Sequence, residues 1–306
     1  MDTIILGALV RNYVDPQVLV THARFGEAAG MFSQKPYGGG TIHEWVNESA
    51  YGNPAVTVAE GMPAPPPSWP TVRRGQIAFS TEQATRTITG EVISALGTNG
   101  IEQALPAAMR GLGESLGNRL DTLAIAEITT AIDSAAEGSI NVYGLNRVAN
   151  NWDSAVQNVG GVALTEAHLQ NAYDALRTGF RRSMPVTGYF IASGVGQQRA
   201  YTDFLGIGPA AALPINMALR PEDGTFDLGR VKDAIRFNGL PWLTIDGLPA
   251  GDVFFLHASL MEVRYKAMPR VDVLGKTGYP ENFMVVTEVR HSYRDPGKAA
   301  RITNLA

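Results

Sequence analysis

"IEQALPAAMRGLGESLGNRLDTLAIAEITTAI", residues 101–132, carries the strongest periodic signal in the chain. Ile101, Leu105, Met109, Leu112, Leu116, Leu120, Leu123, Ile128 and Ile132 recur at spacings of mostly three and four. That is one apolar stripe on a long amphipathic helix within 100–136. Roughly 30 residues of helix extend roughly 45 Å. Pro106 marks the first turn or a kink, and Gly111, Gly113 and Gly117 lower the intrinsic propensity. A helix of this composition persists only if its stripe is packed, so one face is buried and the other stays available.

Upstream, "VAEGMPAPPPSWPTVRR" (58–74) holds five prolines and closes on two arginines. Proline fixes φ and removes a donor, which excludes a helix or a central strand. The segment is a stiff, polyproline-like arm with little apolar surface of its own. Residues 51–95 form a hairpin around it. "NPAVTVAEG" leads out and "GQIAFSTEQATRTITGEVISAL" returns with β-branched residues that favour a strand. A two-stranded ribbon is marginal alone in water, so it leans on another surface, with a neighbouring copy the natural candidate. Residues 1–50, with short apolar clusters and the run Gly38–Gly40, are an extended arm with one short helix.

From residue 161 the pattern is mixed α/β. Thr165 caps a helix bearing Leu169, Ala172, Tyr173, Leu176 and Phe180, which Pro185 ends. "VTGYFIAS" (186–193) is a short buried strand, and Gly194 opens a further helix. Residues 205–230 are loop-rich. "AIRFNGLPWLTID" is strand, Asn238-Gly239 turn, strand. "DVFFLHASLMEVRYKA" and "NFMVVTEVRHSY" are long alternating strands near the end of the chain.

The 306 residues allow one to three domains, with 45% apolar and 18% charged residues, an ordinary globular balance. A net charge of −4 argues against gripping nucleic acid through its phosphates. Cysteine is absent, which excludes disulfides, thiol catalysis and thiolate metal sites. The apolar run Ile4–Val10 lacks a basic flank and is too short for a secretory signal, so the chain is expected in the cytosol at synthesis, with no membrane span.

Motifs with chemistry are incomplete. "IASGVGQQRA" has Gly194 and Gly196 between strand and helix, but Arg199 replaces the third glycine of a dinucleotide loop. "LGKTG" (274–278) would need a glycine where Arg270 stands. "HEWVN" (43–47) begins like a zinc-binding helix, with Asn47 where the second ligand belongs. No catalytic residue, metal ligand or cofactor site emerges, and the chain is expected not to be an enzyme. What recurs is arginine, 20 against 5 lysines. Arg73 and Arg74 on the hairpin, Arg86 on its return, Arg110 and Arg119 on the long helix, and Arg181 and Arg182 at a helix end are candidates for ion pairs between subunits. Singly such pairs contribute up to about 1 kcal/mol, so they matter when a lattice repeats them.

The order of elements resembles the major capsid protein of tailed bacteriophages, the Hong Kong 97-like family. "VAEGMPAP" with "STEQATRTITGEVISAL" looks like that family's extended loop and its return into the spine helix. "LTEAHLQNAYDALRTGFRRSMPVTGYFIAS" looks like the opening of its axial domain. "FNGLPWLTIDGLPAGDVFFLH" with "ENFMVVTEVRHSYRDPGKAARI" looks like its closing pattern. The resemblance runs from about residue 50 to the end.

It implies an α+β fold with an N-terminal arm (1–50), an extended-loop hairpin (51–95) and a peripheral domain with the spine helix (96–150). An axial domain (151–255) and closing strands shared by both domains (256–306) complete it. It implies a coat protein whose hexamers and pentamers close into an icosahedral shell around packaged double-stranded DNA, in the virion and assembled in the host cytoplasm. On that basis the loop, with Glu60 and Trp69, lies over a neighbouring subunit. Residues 51–95 contain no lysine, so the crosslinking some members perform is not expected. The first 50 residues are short for a fused scaffold, so a separate scaffolding protein is expected, with a portal and a decoration protein as further partners. Two alternatives stand beside this one. They are an encapsulin-like compartment enclosing enzymes, and a nucleotide-binding α/β enzyme resting on "SGVGQQRA".

Overall fold

The apolar stripe folds as one helix. In the computed structural model α1 spans Thr98–Ala131, 34 residues and about 50 Å long. It runs through Pro106 with its start eight residues earlier, so this proline does not mark the first turn. Met109, Leu112, Leu116, Leu120, Leu123 and Ile128 are all buried. The structure describes residues 28–50, 71–88, 98–131, 139–142, 145–148, 155–178, 185–204, 235–274 and 281–306.

The stripe packs on a four-stranded sheet ordered β1 (Ser33–Lys35), β12 (Met261–Leu274), β13 (Glu281–Tyr293), β4 (Ser80–Ile88). β1 runs parallel to β12, and the two other pairings are antiparallel. Phe283, Val285 and Val289 of β13 alternate inward against the helix side chains. The return strand β4 therefore leans on α1 and β13 of its own chain, whereas a neighbouring copy was expected to supply that surface. Asp121 of α1 accepts the N–H groups of Ala28 and Ala29 at 2.5 and 3.0 Å and holds Met31 and Phe32 in the same core. Burial raises the Asp121 pKa, and those two hydrogen bonds oppose the shift.

A six-stranded sheet follows the order β7 (Ala155–Val162), β14 (Ala300–Leu305), β11 (Val253–His257), β8 (Tyr189–Ser193), β10 (Leu240–Thr244), β9 (Arg236–Phe237). The apolar runs YFIAS and VFFLH are buried on both faces. Phe190, Ala192, Phe254 and Leu256 face the α1 core. Tyr189, Ile191, Val253 and Phe255 face a second core closed by α2 (Glu166–Leu176). Thr165 caps α2, its side chain accepting the His168 N–H as expected, but the helix ends at Leu176, well before Pro185. The turn Asn238-Gly239, both with positive φ, joins β9 to β10, the backbone that a two-residue hairpin requires. α3 (Val195–Phe204) follows β8.

A third sheet has the order β2 (Ile42–Ala50), β3 (Thr71–Ala78), β6 (Leu145–Val148), β5 (Ser139–Val142). Its antiparallel β2–β3 ribbon is the hairpin, with Ile42 opposite Ala78 and Ala50 opposite Thr71. The outgoing strand thus begins within the stretch taken from sequence as an arm, while "NPAVTVAEG" and most of the proline-rich segment lie outside the described residues.

Candidate functional site

The ribbon is anchored at its root by one aromatic side chain. On β2, His43 and Trp45 point inward and are buried, whereas Ile42 and Val46 are 45% and 63% exposed. Trp45 lies opposite Gly75 in the register. A Cβ at Gly75 would come 2.4 Å from the indole, so only glycine leaves room for it. The indole Nε1–H donates to the Arg294 carbonyl at 2.7 Å, which ties the ribbon to the end of β13. Beyond that point the alternation separates two candidate arginines. Arg74 pairs with Val46 and lies on the outward face, and Arg73 pairs with Asn47 and lies on the opposite one.

The other candidates fall into distinct groups. Arg119 donates through Nε to Glu82 of β4 at 2.7 Å, an ion pair within the chain. The Arg86 guanidinium lies so close over Gly111 that a Cβ there would be 2.2 Å from Nη1. One of the helix glycines thereby admits a strand side chain. Arg110 is exposed on α1. Glu60, Trp69, Arg181 and Arg182 lie outside the described residues, and for Arg73 and Arg74 only the strand is described.

Buried charges that sequence reasoning missed fix the surrounding frame. Glu127 on α1 is fully buried. It accepts the Tyr293 N–H at 2.8 Å, and Arg290 Nη2 approaches its other oxygen at 3.5 Å. Glu262 receives Arg294 Nη1 at 3.2 Å on Oε1 and Arg264 Nη2 at 3.3 Å on Oε2. Arg301 Nη2 meets Asp252 Oδ2 at 2.6 Å. Except for Arg264, two positions from Glu262, each partner lies far away in sequence, so no local pattern could have revealed it.

A cavity of about 350 Å³ opens at the ribbon root, lined by Tyr37, Gly38, Gly39, Ile42, His43, Glu44, Trp45, Phe79, Arg264 and Arg294. Burial, followed by the Arg264 charge, lowers the His43 pKa to about 4, so its ring is neutral at pH 7. A second cavity of about 260 Å³, lined by Tyr173, Leu176, Arg177, Pro185, Val186, Tyr189 and Leu240, lies beside the end of α2.

The two incomplete motifs within the described residues do not become sites, and LGKTG, apart from Leu274, lies outside those residues. HEWVN is strand, so its residues alternate across two faces and present no helical ligand pair. At the SGVGQQRA turn the Gln197 amide donates to the Ala250 and Ala306 carbonyls. Among the described residues no three His, Asp or Glu gather as for a metal, and no helix is long and apolar enough to cross a membrane.

No family model matches the chain, and no curated protein matches it in sequence. Solved structures do. The capsid asymmetric unit of cyanophage A-1(L) is similar with a TM-score of 0.58 and 11% identity, covering 93% of each chain. The capsid of a native GTA particle gives a TM-score of 0.57 and 13% identity over 92% of this chain and 91% of that one. A virus-like particle from Pyrococcus furiosus gives 0.52 and 10% over 94% and 97%. At such identities the likeness speaks of architecture, and with the sheets and long helix above it gives this chain the α+β, Hong Kong 97-like fold.

Proposed function

We propose that the chain is a major coat protein whose copies close into an icosahedral shell around packaged double-stranded phage DNA. The observation that supports this is the fold, shared across 92% and 93% of the chain with subunits of two capsids. The ribbon adds to it, since β2 is a sheet edge and bears Ile42 and Val46 in solvent. The protein then works by shape and self-association and catalyses nothing. Hexamers and pentamers form as the loop, with Glu60, Trp69, Arg73 and Arg74, lies over an adjacent copy. A separate scaffolding protein, a portal and a decoration protein complete the particle in the host cytoplasm.

Expression of the full chain, alone and with its scaffold, followed by negative-stain microscopy is the test. Closed particles are the expected result. A monomer that stays monomeric under every assembly condition overturns the proposal. A shell enclosing protein cargo is a second reading, favoured by the likeness to the Pyrococcus furiosus virus-like particle. Nuclease-protected DNA in purified particles supports the first, and a co-purifying enzyme supports the second.

A further inference from the structure

We propose that the cavity at the ribbon root is an oxyanion site that takes a carboxylate or phosphate group. Two nitrogens facing this region are buried and have no hydrogen-bond partner among the described residues, His43 Nε2 and Arg264 Nε. His43 is nine-tenths buried. An orphaned buried donor costs about 1–3 kcal/mol, so two in one cavity call for a ligand that accepts from both. An oxyanion does so, and a guanidinium edge matches its geometry.

The charges agree. Arg264 already gives Nη1 to the Pro36 carbonyl at 3.0 Å and Nη2 to Glu262. Arg294 shares that one carboxylate. The charges acting on His43 are Arg264, Glu262 and Arg294, two positive against one negative. Glu44 also lines the cavity, at an exposed position, and its carboxylate opposes an incoming anion without cancelling the two guanidiniums. Gly39 has a φ of +93° and no atom within 4 Å of a Cβ, so its backbone turns in a conformation that glycine adopts freely and no side chain occupies the space beside it.

Anion binding and protonation of His43 are linked. With an oxyanion bound, the imidazolium gains a partner, so its pKa rises from about 4 and affinity strengthens as pH falls from 7 towards 5. The charged groups acting on His43 that set this are Arg264, Glu262 and Arg294, and Glu44, next to it on the strand, lines the same cavity.

The experiment is calorimetric titration of dissociated full-length subunits with inorganic phosphate and with acetate, paired with NMR titration of the His43 ring. Saturable binding is expected, at least tenfold weaker in Arg264→Gln and His43→Leu. Glu44→Gln, at an exposed position, is expected to bind severalfold tighter, a gain that misfolding cannot mimic. No saturable binding of either anion, or equal binding by Arg264→Gln, His43→Leu and the parent, overturns the proposal. Repetition on assembled particles separates the sources. Binding retained there means a free anion occupies the cavity, and binding lost there means a carboxylate of a second copy does. The dissociated-subunit result stands whether or not the chain builds shells, so failure of this site and failure of the shell reading are distinguishable.

Discussion

Trp45 and Gly75 face each other across the ribbon, and the indole fills the volume where any β-carbon at position 75 would sit. This contact, with the hydrogen bond from Trp45 to the Arg294 carbonyl, sets the direction in which the ribbon leaves the body. Gly75→Ala is expected to expel the indole and destabilise the subunit by about 1–3 kcal/mol, the usual effect of overpacking. Urea unfolding measures it. A change below about 0.5 kcal/mol would show that the ring has another place to go.

Glu127→Gln removes the carboxylate beside the buried Arg290. Removing one member of a buried ion pair costs about 3–5 kcal/mol. Glu127→Gln combined with Arg290→Met is expected to recover most of that loss, since neither charge then remains. If the double variant is no more stable than the single one, the pair is not the reason for the cost.

Stability should fall in acid through three histidines. Burial, the largest cause for each, lowers the pKa of His257, of His43 to about 4 and of His291 to about 3. All three folded values lie below the ordinary 6.5, so below that pH the unfolded chain takes up protons first. The neutral-histidine contribution is complete above about pH 6.5 and drains away as pH falls towards 4 and 3, each group adding up to about 1.4 kcal/mol per pH unit. His291, edge-on to Phe32 at 5.0 Å, is the cleanest probe. His291→Leu should flatten the urea-derived stability profile between pH 6.5 and 4.5. An unchanged slope would rule out its contribution.

Residues 61–70 can be cut without touching the paired strands, because Thr71 and Val72 still oppose Ala50 and Glu48. Subunits with that deletion should fold normally by circular dichroism yet fail to form closed shells. Normal particles in negative stain would refute the clamp.

Arg73 and Arg74 lie on opposite ribbon faces, so their charge reversals need not act alike. The double change to Glu should weaken assembly, more strongly at low salt, because exposed charges are screened over about 10 Å at 0.1 M. The single reversals then identify the face that meets the neighbour. Assembly indifferent to both across an ionic-strength series would remove these charges from the interface.

Much of the fold was legible where periodicity is local. The three-and-four spacing from Met109 to Ile128 announced α1, and burial of Phe190 and Ile191 on both faces follows from the short apolar run of β8. DVFFLHASLMEVRYKA, read as one long alternating strand, is instead divided between β11 and β12 in two sheets. Thr165 and Asn238-Gly239 carried their own backbone chemistry. The ribbon root was not legible, because Trp45 depends on a glycine thirty positions away and sat inside a motif that looked like half a metal site. Nor was Glu127, a charged residue in a helix whose burial is decided by β13, where Tyr293 meets it from 166 residues later. Arg119, read from sequence as a candidate for an ion pair between subunits, pairs within the chain with Glu82, which β4 brings to it.

The position of β14 has a consequence for synthesis. Residues 300–305 lie between β7 and β11 and supply the neighbour to which β7 bonds in the six-stranded sheet. A nascent chain still holding those residues in the ribosomal tunnel has an open slot in the middle of that sheet. Until residues 300–305 are in place, β7 has no partner strand in that sheet and β11 lacks one of its two neighbours.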